Sequence, residues 1–373
     1  MKMPRIIISG GGTGGHIFPA IAIANEFKRQ HKDAEILFVG AKGRMEMQRV
    51  PAAGYRIEGL PVSGFDRKHL LKNIPVLFKI VLSQIKAYNI IRKFKPQAVI
   101  GVGGFASGPT LKTAAMMGIP TLIQEQNSYA GVTNKLLAKK AKKICVAYPD
   151  MERFFDKDKI IMTGNPVRQD LADSKIQHNE AVEKFGLSPE KKTILILGGS
   201  LGAQSINECL MKNLGKMKDC GMQFIWQTGK IYIERVREAV NRFGDMPMLR
   251  TTDFISDMAT AYAAADVIIS RAGAGSISEF CLLGKAVILV PSPNVAEDHQ
   301  TKNAMALVNK KAAIYVKDKE ADDKLIDQTI ALASDEDRLN ELKTNIKKLA
   351  FENSASVIAQ EITKLIANTY NLK

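Results

Sequence analysis

The sequence holds little cysteine, and its cysteines form no metal or redox motif. Only 4 occur in 373 residues, with no C-x-x-C pair: Cys145, Cys209, Cys220 and Cys281. This spacing excludes a disulfide framework and a zinc ribbon. No window is apolar and long enough to span a bilayer. The chain passes from Arg5 directly into an apolar strand, without the pattern of a signal peptide. These absences predict a protein of the reducing cytosol.

Two familiar nucleotide motifs are absent or incomplete. A Walker A sequence, which needs G-K-[ST], does not occur. Residues 10–16 read Gly-Gly-Gly-Thr-Gly-Gly-His and satisfy G-x-G-x-x-G, but the predicted second strand at 35–39 runs into residues 40–43, Gly-Ala-Lys-Gly. No carboxylate stands there to bind ribose hydroxyls, which weakens a dinucleotide reading. We therefore expect no cofactor.

The glycine turn at 10–16 is nevertheless the most informative stretch. It follows a predicted strand at 6–9 and precedes a predicted helix from about residue 17. A turn of this kind can bring backbone N–H groups against an anion, and the helix N-terminus adds partial positive charge. The turn ends in His16, the side chain best suited to accept a proton near neutral pH. We take His16 as the first candidate for a general base, with Glu125 as the second.

The second half of the chain repeats the plan of the first. A predicted strand at 193–197 leads into a glycine turn at 198–203 and a helix, as at 6–15. Strands and helices alternate throughout, which predicts two doubly wound, Rossmann-like parallel sheets of the α/β class facing one cleft. The Gly-Asn-Pro at 164–166 marks a hinge. We place the domains at 1–165 and 166–353.

Positive charge is concentrated in the first half. Residues 1–165 carry 26 Lys and Arg against 11 Asp and Glu, whereas residues 166–373 carry 27 of each. Within 66–95, apolar residues recur at helical spacing and lysines recur every seven residues, at Lys72, Lys79, Lys86 and Lys93. An apolar face flanked by lysines suits a helix on an anionic membrane. A crossover helix with solvated lysines is the equally weighted alternative.

Further glycine turns, at 103–109 and 271–276, stand at the ends of predicted strands, where ligands bind in open α/β sheets. Several such turns suggest a diphosphate donor and an acceptor, hence group transfer. Glu279, one turn into the helix after 276, would accept hydrogen bonds from ribose. The D-x-D triplets at 156–158 and 335–337 lie in highly charged stretches and are predicted to be solvated surface. We therefore expect no metal.

Six motifs in order resemble the MurG family of bacterial glycosyltransferases: 11–16, 103–109, 125–127, 198–203, 271–274 and 299–300. The resemblance spans essentially the whole chain. It implies a GT-B fold and an inverting, metal-independent transfer of N-acetylglucosamine (GlcNAc) from UDP-GlcNAc. The implied acceptor is the C4 hydroxyl of undecaprenyl-diphospho-N-acetylmuramoyl-pentapeptide, in peptidoglycan synthesis. The implied location is the cytoplasmic face of the cell membrane, with peripheral attachment.

The resemblance also implies residue roles. Thr13, Gly14 and Gly15 would lie against substrate diphosphate, and His16 would be the base. Asn127 and Gln300 would hold the GlcNAc hydroxyls, with His299 and Asn303 as alternatives to Gln300. The other implied donor contacts are Arg168 and Ser200 to diphosphate, Ile255 to uracil through its backbone, Ala274 in the glycine turn at 271–276, and Glu279 to ribose. The stretch from Leu70 to Lys86 would dock on the membrane, and the last helix, 354–373, would return to the first domain.

Three alternatives remain open at the level of sequence. The first is another GT-B enzyme, acting on a diacylglycerol or a soluble acceptor, because acceptor choice depends on first-domain loops. The second is a UDP-GlcNAc epimerase, which needs no lipid. The third is a nucleotide-binding protein that uses its basic half for RNA, although no aromatic-rich basic surface is visible.

Overall fold

The structure is a computed structural model that describes residues 3–62, 74–168, 171, 173–199 and 201–370. It divides into two compact units. The first comprises Met1–Arg168 together with Asn353–Lys373, and the second comprises Gln169–Glu352. Each unit is built on its own parallel sheet, with helices on both faces, and each is described below by itself.

The first unit contains a seven-stranded parallel sheet in the order β3-β2-β1-β4-β5-β6-β7. Its strands are β1 Arg5–Ser9, β2 Glu35–Ala41, β3 Arg56–Leu60, β4 Ala98–Gly101, β5 Thr121–Glu125, β6 Lys143–Val146 and β7 Ile160–Met162. In the register of the sheet, Ile6 pairs with Ile36 on one side and with Ala98 on the other. β1 is therefore an interior strand, and the turn that follows it lies away from both ends of the sheet's carboxyl edge.

The second unit contains a six-stranded parallel sheet in the order β10-β9-β8-β11-β12-β13. Its strands are β8 Thr193–Leu197, β9 Gln223–Gln227, β10 Leu249–Thr252, β11 Val267–Ser270, β12 Ala286–Leu289 and β13 Ile314–Tyr315. Trp226 of β9 is fully buried in this unit's core, and its indole N–H donates to Asn207 Oδ1 at 2.9 Å. The buried polar group of the largest side chain is thus satisfied.

Fifteen helices are described, in chain order. Those that precede the second sheet are α1 Gly14–Gln30, α2 Glu46–Ala52, α3 Ile74–Phe94, α4 Ser107–Met116, α5 Val132–Ala138 and α6 His178–Lys184. The rest are α7 Gln204–Lys212, α8 Leu214–Asp219, α9 Ile233–Phe243, α10 Met258–Ala264, α11 Ala274–Leu283, α12 His299–Val308, α13 Ala321–Ala333, α14 Glu336–Lys347 and α15 Ser354–Tyr370. Across the described residues, no helix combines the length and hydropathy needed to cross a membrane.

The core of the first unit lies on both faces of its sheet. Ile6 of β1 packs in one cluster with Phe27 of α1 and Ile362 of α15. The neighbouring Ile7 lies in a second cluster with Leu111 of α4. Successive side chains of a strand point to opposite faces, so a sheet covered on both faces needs apolar residues at consecutive positions. The burial of both faces explains the Ile-Ile-Ile run of β1. The packing of Ile362 against Ile6 and Phe27 places α15 in the core of the first unit.

The observed architecture confirms the predicted fold class and differs from the sequence expectation in local details. Strands β7 and β13 were not expected, because runs of three and two residues are too short to show a period. Helix α1 begins at Gly14 rather than near residue 17, with Thr13 as its N-cap, since glycines in a first turn carry no helix signal. The predicted helix at 66–95 is described only as Ile74–Phe94; residues 66–73 lie outside the described residues.

Candidate active site

Each sheet has a point at which the strand order reverses, where ligands bind in doubly wound folds. The reversal lies between β1 and β4 in the first unit and between β8 and β11 in the second. The loops that follow these four strands begin at residues 10, 102, 198 and 271, and each leads into a helix N-terminus. All four of the glycine turns identified in the sequence therefore stand at a reversal point.

His16 is held in one orientation by the glycine turn before it. Its Nδ1 lies 3.0 Å from the carbonyl oxygen of Gly11 and 3.3 Å from Thr13 Oγ1. A carbonyl oxygen only accepts hydrogen bonds, so Nδ1 must carry the proton. This assigns the lone pair of the neutral ring to Nε2, which is the nitrogen that would take up a proton.

The turn after β4 approaches the same imidazole. Gly103 has φ +92°, and a Cβ at this position would stand 2.8 Å from His16 Nε2. The next residue, Gly104, also has positive φ, and a Cβ there would collide with the carbonyl of Gly11. Because the two turns meet backbone to backbone, only glycine is accommodated at both positions. His16 Nε2 thus faces the second glycine turn, at 103–109.

The first turn of α1 supplies hydrogen-bond donors. Gly14 and Gly15 are its first two residues, where an α-helix offers no carbonyl acceptor for the N–H groups. No acidic side chain occupies this turn. The two amides and that of the N-cap Thr13 form a site suited to an anion.

Glu125 is buried and engaged with its own loop. Its carboxylate accepts hydrogen bonds from the N–H of Asn127 at 3.1 Å, the N–H of Gly131 at 3.0 Å and Asn134 Nδ2 at 2.8 Å. These three donors hold the carboxylate in place. The arrangement favours His16 over Glu125 as the base, and gives Glu125 the task of shaping the loop that carries Asn127.

A buried amide network connects this loop to the end of the first unit. Gln124 Nε2 donates to Asn165 Oδ1 at 2.9 Å, and Asn165 Nδ2 donates to the carbonyl of Gln126 at 3.0 Å. Gln126 Nε2 in turn donates to the carbonyl of Val102 at 2.8 Å. Arg168, three residues beyond Asn165, is partly buried and is the last residue of the first unit. The network therefore connects Asn165, three residues before Arg168, to the loops at the sheet edge.

The glycine turn of the second unit is held by Gln227, at the end of β9. Gln227 Oε1 accepts from the N–H of Gly199 at 2.9 Å, and its Nε2 donates to the carbonyl of Gly199 at 2.9 Å. The same Nε2 donates to the carbonyl of Asp253 at 2.9 Å, so one side chain joins the turn to the loop carrying Ile255. Ser200, predicted to contact diphosphate, lies outside the described residues.

The loop after β10 presents Ile255 with its side chain buried. Within the part of the chain that the structure describes, the backbone N–H and C=O of Ile255 make no hydrogen bond to protein. One donor beside one acceptor is the pattern that the edge of uracil requires. The loop is anchored two residues later, where hydrogen bonds from the hydroxyl and N–H of Thr260 hold the pKa of Asp257 below its usual range at the N-cap of α10.

Helix α11 carries the predicted ribose contact. Glu279 Oε2 accepts a hydrogen bond from the hydroxyl of Tyr262 at 2.6 Å. Tyr262 is itself almost fully buried, with its ring packed edge-on against Phe280 at 5.8 Å. A rigid phenol therefore fixes the rotamer of the carboxylate. Ala274 begins this helix, and no acidic side chain stands in its first turn, so the amides there can meet an anion.

Arg271 holds the turn before α11 in place through contacts with other segments of the second unit. Its guanidinium donates to the carbonyl of Val290 at 2.9 Å and to Ser205 Oγ at 3.1 Å, and it forms an ion pair with Asp318. Ser205 Oγ also donates to Asp318 at 2.5 Å. Four separate segments of the second unit are thereby joined around one side chain.

The structure narrows the choice among His299, Gln300 and Asn303. Asn303 is fully buried and donates to the carbonyl of Ala272 at 3.4 Å. Gln300 is partly exposed, and its Oε1 accepts from the N–H of Ser292 at 2.8 Å. This bond orients the side-chain amide of Gln300. The geometry favours Gln300 or His299 over Asn303 as a donor-sugar contact.

Sequence reasoning missed three residues that hold the site: Glu46, Gln227 and Tyr262. Glu46 begins helix α2, whose seven residues include Pro51 and show no helical period. The other two are buried polar side chains whose partners lie 28 and 17 residues away in sequence. Of these three residues, only Gln227 had a signal in the sequence, because it is a polar residue at the end of an apolar strand.

The chain is similar to known glycosyltransferases over almost its full length. Residues 6–146 match the glycosyltransferase family 28 N-terminal domain, and residues 193–362 match the C-terminal domain of the same family. The chain is 71% identical to a UDP-N-acetylglucosamine–N-acetylmuramyl-(pentapeptide) pyrophosphoryl-undecaprenol N-acetylglucosamine transferase from Phocaeicola vulgatus. That alignment covers 97% of this chain and 96% of the relative. The protein belongs to glycosyltransferase family 28.

Solved structures agree with this assignment. The MurG crystal structure from Acinetobacter baumannii superposes with a TM-score of 0.78 at 29% identity, covering 97% of this chain and 99% of that one. A UDP-GlcNAc 2-epimerase from Neisseria meningitidis superposes with a TM-score of 0.68 at 15% identity, covering 97% and 100%. The second similarity concerns the fold alone. Within family 28, the chain belongs with the MurG enzymes.

Proposed function

We propose that this chain transfers GlcNAc from UDP-GlcNAc to the C4 hydroxyl of undecaprenyl-diphospho-N-acetylmuramoyl-pentapeptide, a step of peptidoglycan and hence cell-wall synthesis. The observation that carries the proposal is the 71% identity, over 361 residues, to a transferase named for these two substrates. The arrangement of His16 and the four glycine turns gives the proposal a physical basis.

The first unit binds the acceptor in this proposal. The amides of Thr13, Gly14 and Gly15 receive substrate diphosphate at the N-terminus of α1. His16, with its proton on Nδ1, offers Nε2 to the acceptor hydroxyl. Glu125 holds the loop from which Asn127 reaches the GlcNAc hydroxyls.

The second unit binds the donor. The backbone of Ile255 pairs with uracil, and Glu279 accepts from the ribose hydroxyls while Tyr262 holds it in place. The amides at Ala274 approach the diphosphate. The resemblance implies two more diphosphate contacts: Ser200, and Arg168 from the end of the first unit. Gln300 contacts the GlcNAc hydroxyls.

The reaction is a single displacement. The acceptor oxygen forms a bond to C1 of GlcNAc as the bond from C1 to the UDP oxygen breaks, and the hydroxyl proton passes to His16 Nε2. Attack opposite the leaving group inverts the configuration at C1. The departing diphosphate is stabilised by fixed N–H dipoles and by Arg168, which is a form of electrostatic catalysis that requires no metal.

We also propose that helix α3 docks the protein on the cytoplasmic face of the membrane. Phe78 is 70% exposed, and Val81, Leu82 and Ile85 are each 55% exposed. Their spacing places them on one face of α3, where they form an apolar patch, named here the α3 patch. Lys79 lies beside it, whereas Lys86 donates to the carbonyl of Gly59 at 2.8 Å and contributes less to a membrane contact than the sequence pattern suggested.

Vesicle flotation tests this docking. A Leu82→Glu/Ile85→Glu double variant should lose binding to vesicles containing anionic phospholipid, since two charges replace the apolar contact. Met116→Glu, at a residue that is 77% exposed elsewhere in the first unit, is the matched control. Equal binding by both variants would contradict the α3 patch as the docking surface.

The transfer itself is tested with labelled UDP-GlcNAc and a short-chain acceptor analogue, with and without EDTA. We expect label in the lipid analogue only when acceptor is present, at a rate that EDTA does not change. His16→Ala should lower kcat by about 10²-fold or more. His178→Ala, which removes a histidine bonded to the carbonyl of Ala263, is the control and should retain activity. Conversion of UDP-GlcNAc without acceptor would indicate an epimerase instead.

A further inference from the structure

One peptide group stands between a buried carboxylate and His16. The peptide joining Gly11 to Gly12 donates through its N–H to Glu46 Oε2 at 2.9 Å. The carbonyl of the same peptide lies 3.0 Å from His16 Nδ1. Carboxylate, peptide and imidazole therefore form a continuous chain of two hydrogen bonds.

The chain around Glu46 is built to hold this carboxylate. Glu46 is 1% exposed, and its second oxygen, Oε1, accepts from the N–H of Ala41 at 2.9 Å. A Cβ at Gly11 would collide with the carboxylate, and a Cβ at Gly40 would stand 2.6 Å from Glu46 Cγ. Two glycines thus leave the space that the side chain of Glu46 fills. Each oxygen of the buried Glu46 carboxylate therefore accepts a hydrogen bond from one backbone N–H.

A negative charge on the N–H side of a peptide strengthens its carbonyl as an acceptor. Hydrogen bonds in a chain polarise one another, and the effect is greater where water is excluded. A stronger acceptor at the Gly11 carbonyl favours the ring form with Nδ1 protonated and the doubly protonated ring formed during catalysis. The arrangement acts as a carboxylate–histidine pair in which a peptide group is inserted.

We propose that Glu46 is a positioning residue that acts through the Gly11–Gly12 peptide to hold His16 with its proton on Nδ1 and to raise the basicity of Nε2. The catalytic consequence rests on the proposed function, in which His16 is the base; the effect of Glu46 on the imidazole does not.

Other charged groups lie on the segments around the turn. They are Lys42 and Arg44 before α2, Arg49 on α2, and Glu125 at the end of β5. Glu46 hydrogen-bonds the turn directly, whereas Glu125 is engaged with residues 127–134. A substitution at Glu46 therefore changes the carboxylate nearest to His16 along the hydrogen-bonded chain.

The test is nitrogen NMR of the histidine rings in the full-length protein, with His16→Gln used to assign the His16 signals. In the wild type we expect a neutral His16 ring with Nδ1 protonated. In Glu46→Gln, the side-chain amide can accept from one backbone N–H but faces the other with a donor. We expect the titration midpoint of His16 to fall by about 0.5 to 1 pH unit and the share of the Nε2-protonated form to rise.

Glu46→Asp retains the charge and should restore the midpoint toward the wild-type value, although its shorter side chain cannot reach both N–H groups. Asp335→Asn, which removes a carboxylate accepting from the N–H of Arg338 at 3.0 Å in the second unit, controls for general destabilisation and should leave His16 unchanged. A wild-type ring protonated on Nε2 would overturn the proposal. So would a folded Glu46→Gln protein whose His16 midpoint and ring form match the wild type.

Activity separates this inference from the function on which it rests. If His16 is the base, the acid limb of kcat/KM should move to lower pH in Glu46→Gln by the shift seen in NMR, with a lower plateau. If the NMR shift occurs but His16→Ala retains full activity, Glu46 still controls the imidazole, and the assignment of the base is wrong. The two failures therefore give different results.

Discussion

Replacing Gly103 by alanine should impair catalysis far more than it impairs folding. Gly103 has φ +92°, and the new Cβ would stand 2.8 Å from His16 Nε2. The left-handed backbone alone costs about 1 to 2 kcal/mol for a non-glycine residue. The added contact is shorter than real Cβ contacts, so the imidazole has to move by several tenths of an ångström or more. A displacement near 1 Å at a reacting group can lower the rate about 10²-fold.

Gly118→Ala is the matched control for this prediction. Gly118 also lies in the first unit with positive φ, at +75°, and a Cβ there meets no atom within 4 Å. Both variants carry the backbone cost, but only Gly103→Ala carries the contact with His16. We expect similar unfolding free energies by urea titration, and a kcat/KM about 30- to 100-fold lower in Gly103→Ala than in Gly118→Ala. Equal kcat/KM values in the two variants would refute the placement of His16 Nε2 against this turn.

Two further predictions concern the second unit. Tyr262→Phe removes the hydrogen bond to Glu279, and we expect the KM for UDP-GlcNAc to rise roughly 5- to 10-fold with little change in kcat. The control is Tyr55→Phe, which removes an exposed hydroxyl bond to Asn25 at 2.7 Å and should leave both constants unchanged. An unchanged KM in Tyr262→Phe would count against Glu279 as a ribose contact. Burial lowers the pKa of Lys285 to about 8. The folded protein therefore loses this proton at lower pH than the unfolded chain does, and the free energy of unfolding should rise by about 2 kcal/mol between pH 7 and pH 10 relative to Lys285→Met. Parallel pH profiles of the unfolding free energy in the two proteins would contradict the lowered pKa of Lys285.

The architecture could be predicted because parallel sheets covered on both faces leave a strong pattern in sequence. The apolar runs at Ile6–Ile8 and in β8 are continuous, since each strand is buried on both sides, and glycine turns mark where the strands end. The positions at which the strand order reverses could not be deduced from the sequence pattern. They follow from which strands pair, and pairing between β1 and β4 joins residues more than 90 positions apart.

The site was predictable where its chemistry lies in the backbone and not where it lies in long-range side-chain contacts. The turns at 10–16 and 103–109 are visible because glycine is required for their conformation and for their close approach to neighbouring atoms. Glu46 was not, because a lone carboxylate in a short helix has the sequence signature of solvated surface. The anchoring of its loop by Glu125 likewise depends on three donors that only the folded chain brings together.

The most direct test of the account is the configuration of the new glycosidic bond. The purified protein would be incubated with UDP-GlcNAc and the acceptor analogue, and the product examined by proton NMR. A single displacement assisted by His16 predicts one acceptor-dependent product, in which GlcNAc is β-linked to the C4 oxygen of the muramoyl sugar. An α-linked product would contradict the single displacement, and UDP-GlcNAc altered without any acceptor product would contradict the proposed transfer itself.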